Sequence, residues 1–204
     1  MRDRNHPSIV AWTPLNETSG AARNNYEACS RSVKSIFATT RAIDLTRPIN
    51  DASGYVHVKA DIFTVHDYDQ NPDTFKQRYA AVAPDEREDV FVRVPEISVP
   101  YEGQPYVVDE YGGTFWTTDH VNHPEKAGTR RNNWGYGKSG KQVEDRIEAL
   151  TNVLLEHPHI SGFTYTQLTD VEQEVNGIYT YDRQPKFDIQ RLKKVFGGPA
   201  TIEK

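Results

Sequence analysis

Residues 2–17 read RDRNHPSIVAWTPLNE. Within them Ser8-Ile9-Val10-Ala11-Trp12 is a β-branched and aromatic run held between Pro7 and Pro14. So short a segment bounded by prolines cannot make a helix, and it reads as a buried strand of the parallel type. Thr13-Pro14-Leu15 closes the run, and Asn16 and Glu17 follow at its carboxyl end. Much later the arrangement recurs. Gln104-Pro105-Tyr106-Val107-Val108-Asp109-Glu110-Tyr111-Gly112-Gly113 is an apolar strand that runs out in a glutamate, with glycines after it. The carboxyl ends of strands are where α/β barrels build active sites. Two strand-end glutamates are also what glycoside hydrolysis needs: one protonates the leaving oxygen, the other attacks or activates water.

Between and beyond these stretches the chain alternates. Thr18 to Asn25 is small and polar and reads as a loop. Tyr26 to Thr40 has helical spacing at Ala28, Cys29, Val33, Ile36 and Phe37, with Asn24 or Asn25 as its cap. A short strand at Ile49 ends at Asn50-Asp51-Ala52-Ser53-Gly54, and a further strand at Ala60 to Val65 ends at His66-Asp67-Tyr68. Asn71 to Ala81 is a helix opened by Pro72, and Pro84 to Gly103 is a charged, proline-interrupted insertion or long loop. Thr114 to Gly140, rich in glycine, asparagine and aromatics, directly follows the second glutamate, and a loop of that length there points to function. Lys141 to His157 carries one apolar stripe, Ile160 to Thr166 is a last strand, and a helix over Phe187 to Phe196 closes the pattern before Gly197-Gly198-Pro199. This is a βα rhythm with five strands.

Composition narrows the partners. The 204 residues suffice for one domain with a core, at 36% hydrophobic content. The net charge of −5 is the wrong sign for a nucleic-acid binder, and no apolar stretch approaches the length of a membrane span. The basic clusters at Lys126 with Arg130-Arg131 and at Arg191 with Lys193-Lys194 read as solvated faces. Cys29 is the one cysteine and reads as a core residue, so no internal disulfide is expected. Neither zinc spacing nor a phosphate loop is present, and no metal or other cofactor is called for. The acidic alternation at Asp170, Glu172 and Glu174 reads as a solvated loop.

Three separated motifs, RDRNHPSIV…NE, VVDEYGG and NGIYTYDRQPK, occur in an order that resembles glycoside hydrolase family 2, the family of β-galactosidases, β-glucuronidases and β-mannosidases. The resemblance implies an α/β fold, part of a (β/α)8 TIM barrel. Its Asn-Glu pair falls on the fourth strand and its nucleophile on the seventh, so 1–204 corresponds to strands four to eight with their helices. Strands one to three and the β-sandwich domains that precede them in the family lack a counterpart here. The expectation is therefore a truncated or partial reading frame, with self-association or a partner covering the exposed barrel edges.

The same resemblance implies roles. Glu17 is the general acid/base and Glu110 the nucleophile of a retaining mechanism, their carboxyls about 5–5.5 Å apart. A negative neighbour such as Glu110 is what lets a carboxyl keep its proton near neutral pH. Asn16 is expected on the sugar hydroxyl next to the reacting carbon, and Tyr68 is expected to donate to the nucleophile. His66 and Asp67 are candidate sugar contacts, and Trp116, Trp134 and Tyr136 candidate stacking platforms. Tyr165 and Gln167 stand where family members often place a tryptophan, and none occurs there. Arg4, Asn5 and His6 precede the first strand on its far side and read as structural.

Family β-glucuronidases carry an Asn-x-Lys pair before the GI(F/Y)T segment, whose lysine meets the sugar carboxylate. The corresponding residues here are Glu174-Val175-Asn176, with no lysine. The substrate expected is thus a neutral β-glycoside, β-galactoside first. The alternative is a non-catalytic or complementing fragment of such an enzyme.

Overall fold

Trp12 and Asn16 each form a parallel bridge with the segment that follows the first long helix, Trp12 to Ile49 and Asn16 to Ser53. The backbone bonds run Trp12 N to Pro48 O, Asn50 N to Trp12 O, Ser53 N to Leu15 O and Glu17 N to Ser53 O, all 2.9–3.0 Å. The pairing starts at Trp12; Val10, expected inside a buried strand, is 78% exposed. The first two strands read from the sequence are therefore single bridges joined by extended chain, because prolines 7, 14 and 48 withhold the donors a longer ladder would need.

The computed structural model describes residues 2–117, 136–172 and 174–204. They divide into two compact units, Met1–His66 with Ala81–Asp109, and Asp67–Ala80 with Glu110–Lys204. Among the described residues the strands are β1 (Phe63–Asp67), β2 (Tyr106–Gly112) and β3 (Ile160–Thr166), in the sheet order β1-β2-β3. The sheet is parallel and the class is α/β, as expected. Every residue of β1 is buried, as a strand covered on both faces requires.

In the first unit, α1 (Ser19–Asn24) occupies what reads as a loop. It is too short and too poor in apolar residues to announce itself, and only Ala22 is buried. Helix α2 (Tyr26–Ile43) begins where the side chain of Asn25 accepts from Ala28 N, and it buries Ser30, Val33 and Phe37, a stripe at helical spacing. Asp44 ends it. Its carboxylate takes the Thr46 hydroxyl at 2.6 Å, the Trp12 indole at 2.9 Å, Thr46 N at 2.9 Å and Arg47 at 2.7 Å. Those donors, the Thr46 hydroxyl first, hold Asp44 far below the ordinary carboxylate range. The 84–103 segment has neither helix nor strand, yet it sends Val94 into a core with Ala22 and Val56, against which Cys29 packs.

In the second unit, α3 (Pro72–Tyr79) is opened by Pro72 at its first turn and by Asn71, whose side chain accepts from Asp73 N. Helix α4 (Gly140–Glu156) is capped by Ser139 and buries Val143, Ile147, Leu150 and Leu154. Helix α5 (Ile189–Phe196) is capped by Asp188 and ends at Gly197. Val143, Ile147, Ile178 and Leu192 form the core between them. Arg191 is no solvated charge: it binds Glu144, Asp145 and Glu148 of α4, and Glu148 and Asp145 raise its proton affinity. Asp170 likewise leaves the solvated loop expected of it and is buried against the Lys186 ammonium at 2.8 Å.

Candidate active site

The first unit holds Glu17. Its backbone N–H binds Ser53 O at 3.0 Å, its φ is +50°, and its carboxylate oxygen Oε1 lies 2.9 Å from Nδ1 of His66. Glu17 therefore stands at the carboxyl end of the paired run, its side chain 43% exposed. Asn16 is exposed beside it. His66 is fully buried in β1, its ring edge-on to Tyr55 at 5.3 Å. Gly54 makes room for that ring; a Cβ there would sit 2.7 Å from its atoms. The other ring nitrogen, Nε2, is 2.8 Å from Ser53 Oγ, and Ser53 Oγ is 2.6 Å from Oδ2 of Asp109. Asn50 Nδ2 reaches the same Asp109 oxygen at 3.4 Å. Burial pushes the Asp109 carboxyl up, against the Ser53 hydrogen bond, which pulls it down.

The second unit holds Glu110. It is the fifth residue of β2, two before its end, whereas the sequence reads it as tipping off the strand. The Tyr68 hydroxyl donates to Oε2 of Glu110, as the resemblance implies. Gln70 holds the surroundings: its amide donates to Tyr68 O at 3.0 Å and to Gly112 O, while Thr114 and Arg146 donate to its carbonyl oxygen at 2.7 and 3.0 Å.

Four expected sugar contacts are otherwise engaged. Asp67 is buried, with the Tyr79 hydroxyl at 3.0 Å and the Arg78 guanidinium on its carboxylate, so it anchors α3. Tyr165 packs on Tyr111 and Phe196, its hydroxyl is buried, and burial drives its proton affinity well above the ordinary phenol value. Trp116 lies against Phe187, 5.4 Å between ring centres, as part of the α4–α5 core. Gln167 gives its amide to Asn176 Oδ1 at 2.8 Å. Trp134, with His120 and His123, lies outside the described residues.

Sequence reasoning did not single out Ser53, Asp109 or Gln70. Asp109 carried a signal, since it adjoins Glu110 within β2, and Ser53 lies in the 50–54 segment read as the end of a short strand. Gln70 carried none.

The glycosyl hydrolases family 2 TIM barrel domain model matches residues 1–199. This chain belongs to that family. Lactobacillus rhamnosus β-glucuronidase superposes with a TM-score of 0.62 at 17% identity, covering 100% of this chain and 34% of that one. The Eisenbergiella tayi family 2 β-galacturonidase, solved with galacturonate, gives 0.59 at 16% identity over 96% of this chain and 34% of that one. At such identities the likeness is one of fold. Mouse β-glucuronidase is 38% identical over 52 residues, 26% of this chain and 7% of that protein. The chain thus spans about a third of the length of its solved family 2 relatives.

Proposed function

We propose that this domain is the catalytic part of a retaining β-glycosidase, corresponding to barrel strands four to eight, with Glu110 as nucleophile and Glu17 as acid/base. The observation that carries the reading is the Tyr68 hydroxyl on the Glu110 carboxylate. A hydrogen bond to the ionised form keeps a carboxylate charged and aimed, which a nucleophile requires. In the first step Glu110 bonds to the anomeric carbon, the glycosidic C–O bond breaks, and Glu17 gives its proton to the departing oxygen. In the second, Glu17 takes a proton from water, the water oxygen bonds to the anomeric carbon, and the ester to Glu110 breaks. Asn16 is assigned to the hydroxyl beside the reacting carbon. Carbohydrate is the partner, and neither step calls on a metal or cofactor.

For the sugar, the solved relatives are named for uronides, but a uronate carboxylate needs a cation. Lys186, the lysine nearest in sequence to the Gly177-Ile178 turn, is committed to Asp170 and to Val175 O at 2.9 Å, and Glu174 adds a negative charge. A neutral β-hexoside fits better, β-galactoside first.

The test uses the protein that carries this chain. A 2-deoxy-2-fluoro-β-galactoside with a dinitrophenyl leaving group is expected to inactivate it and to leave the fluorosugar on the peptide containing Glu110. Glu17→Ala is expected to lose turnover of alkyl galactosides and to regain turnover of dinitrophenyl galactoside with azide. Labelling of another carboxylate, or full activity of Glu110→Gln, overturns the assignment. Preference for the glucuronide over the galactoside overturns the sugar.

A further inference from the structure

The carboxyl group of Glu17 ends a line of four polar groups inside the first unit: Asp109 Oδ2, Ser53 Oγ, His66 Nε2 and Nδ1, and Glu17 Oε1, with successive spacings of 2.6, 2.8 and 2.9 Å. The direction of the hydrogens along this line follows from what each group can give. An ionised carboxylate only accepts, and Asp109 Oδ2 faces two donors, Ser53 and Asn50. A serine hydroxyl has one hydrogen. Once it is on Asp109, Ser53 Oγ can only accept from the imidazole. Nε2 must then carry the N–H. A neutral imidazole has one N–H, so Nδ1 is left with its lone pair toward Glu17.

We propose that Ser53 and Asp109 are positioning residues that set His66 in its Nε2–H tautomer, so that Nδ1 accepts a hydrogen bond from the carboxyl O–H of Glu17 and holds that group in its acid form. This rests on the assignment of Glu17 as the acid/base. The setting supports it. His66 is fully buried, with its ring edge-on to Tyr55 and close against Gly54. Against it stand Tyr55, Glu17 from the 12–17 segment and Asp109 from β2, and the same unit holds the buried His57–Asp51 pair at 2.7 Å. His57 is engaged away from the line, with Nδ1 on Asp51 Oδ1 at 2.7 Å and Nε2 accepting from Thr64 N at 3.1 Å. Removing the Ser53 hydroxyl takes away the acceptor 2.8 Å from Nε2 and leaves Asp109 Oδ1 at 3.6 Å, beyond hydrogen-bond distance. The opposite tautomer would then present an N–H to Glu17 and favour the carboxylate, the wrong form for protonating a leaving group.

Imidazole 15N shifts read the tautomer directly and do not depend on turnover. In the protein carrying this chain, labelled with 15N-histidine, the His66 signals are identified by their loss in His66→Gln. The expected result near neutral pH is the Nε2–H form, converting to the Nδ1–H form or a mixture in Ser53→Ala and returning in Ser53→Thr. An imidazolium or an Nδ1–H form in the parent protein overturns the proposal, and needs no variant to do so. Tautomers identical in parent and Ser53→Ala also overturn it. A kinetic split gives a second reading. Alkyl glycosides need the acid and dinitrophenyl glycosides do not, so Ser53→Ala is expected to lose at least tenfold more on the former, with the alkaline limb of its rate profile moved to lower pH and both restored by Ser53→Thr. Equal losses on both substrates count against the proposal. A parent protein with no glycosidase activity would remove the proposed function while leaving the tautomer result standing.

Discussion

The phenol of Tyr68 donates its hydrogen to Oε2 of Glu110, and Gln70 ties the backbone at both: its amide takes the carbonyl of Tyr68 itself and that of Gly112, two residues beyond the glutamate. The nucleophile assigned here is thus held through its side chain and through its strand. Tyr68→Phe keeps the ring, which is 5% exposed, and removes only the donor. A hydrogen bond to a charged group contributes about 1.5–3 kcal/mol, which converts to a loss of roughly 10- to 100-fold in kcat/KM. Steady-state rates on dinitrophenyl galactoside measure it, and a loss under twofold would remove Tyr68 from the mechanism.

Gly54 meets His66 differently. Its φ is +107°, which favours glycine, and an added Cβ would lie 2.7 Å from ring atoms that packing holds in place. Gly54→Ala is expected to cost about 1–3 kcal/mol of stability through overpacking and to push the imidazole off Glu17. Turnover of alkyl glycosides should fall further than that of dinitrophenyl glycosides. A variant as stable as the parent with unaltered selectivity would mean that the ring has room to move.

Asp67 yields a prediction about stability. Its carboxylate takes the Tyr79 hydroxyl at 3.0 Å, Asp69 N at 3.1 Å and the Arg78 guanidinium. Removing one partner of a buried ion pair costs roughly 3–5 kcal/mol. Arg78 is 29% exposed and keeps Asp69 at 3.0 Å, so Asp67→Asn is expected to cost less, on the order of 2 kcal/mol by urea denaturation. A change below about 0.5 kcal/mol would return Asp67 to the list of candidate sugar contacts.

Asp67 also marks where local sequence stops being informative. Helices α2 and α4 were legible from an apolar stripe, with Asn25 as a cap for α2, while α3 was marked by Pro72 and α5 by Gly197-Gly198-Pro199, all signals that act within a few residues of themselves. Glu17, Tyr68 and Glu110 were legible through motifs. The other strand-end polar groups were not, because a side chain there can face a ligand or fold back onto the next helix, and the choice lies with a distant partner. Asp67 turns back to Arg78, eleven positions on, and Tyr165 turns under Phe196. The first strand misled for a related reason: its apolar run satisfies a period, but backbone pairing is decided by its neighbour, which begins only at Pro48.

Asp109 makes a claim on pH. Burial raises its folded-state proton affinity above the ordinary carboxylate value of 3.8. Between 3.8 and that raised value the folded chain holds more protons than the unfolded one, so stability falls as pH rises through the window. Below 3.8 both states are protonated and the contribution is fully present; at neutral pH it is lost. Asparagine copies the shape of the protonated acid and has no proton to give up. Asp109→Asn should therefore gain on the parent protein as pH climbs from below 3.8 to 7, because only the parent pays for a buried charge. Urea melts of both proteins at the two ends of the window measure the difference. If the gap is the same at both ends, the Ser53 and Asn50 donors offset the burial completely, and Asp109 titrates as it would in the unfolded chain.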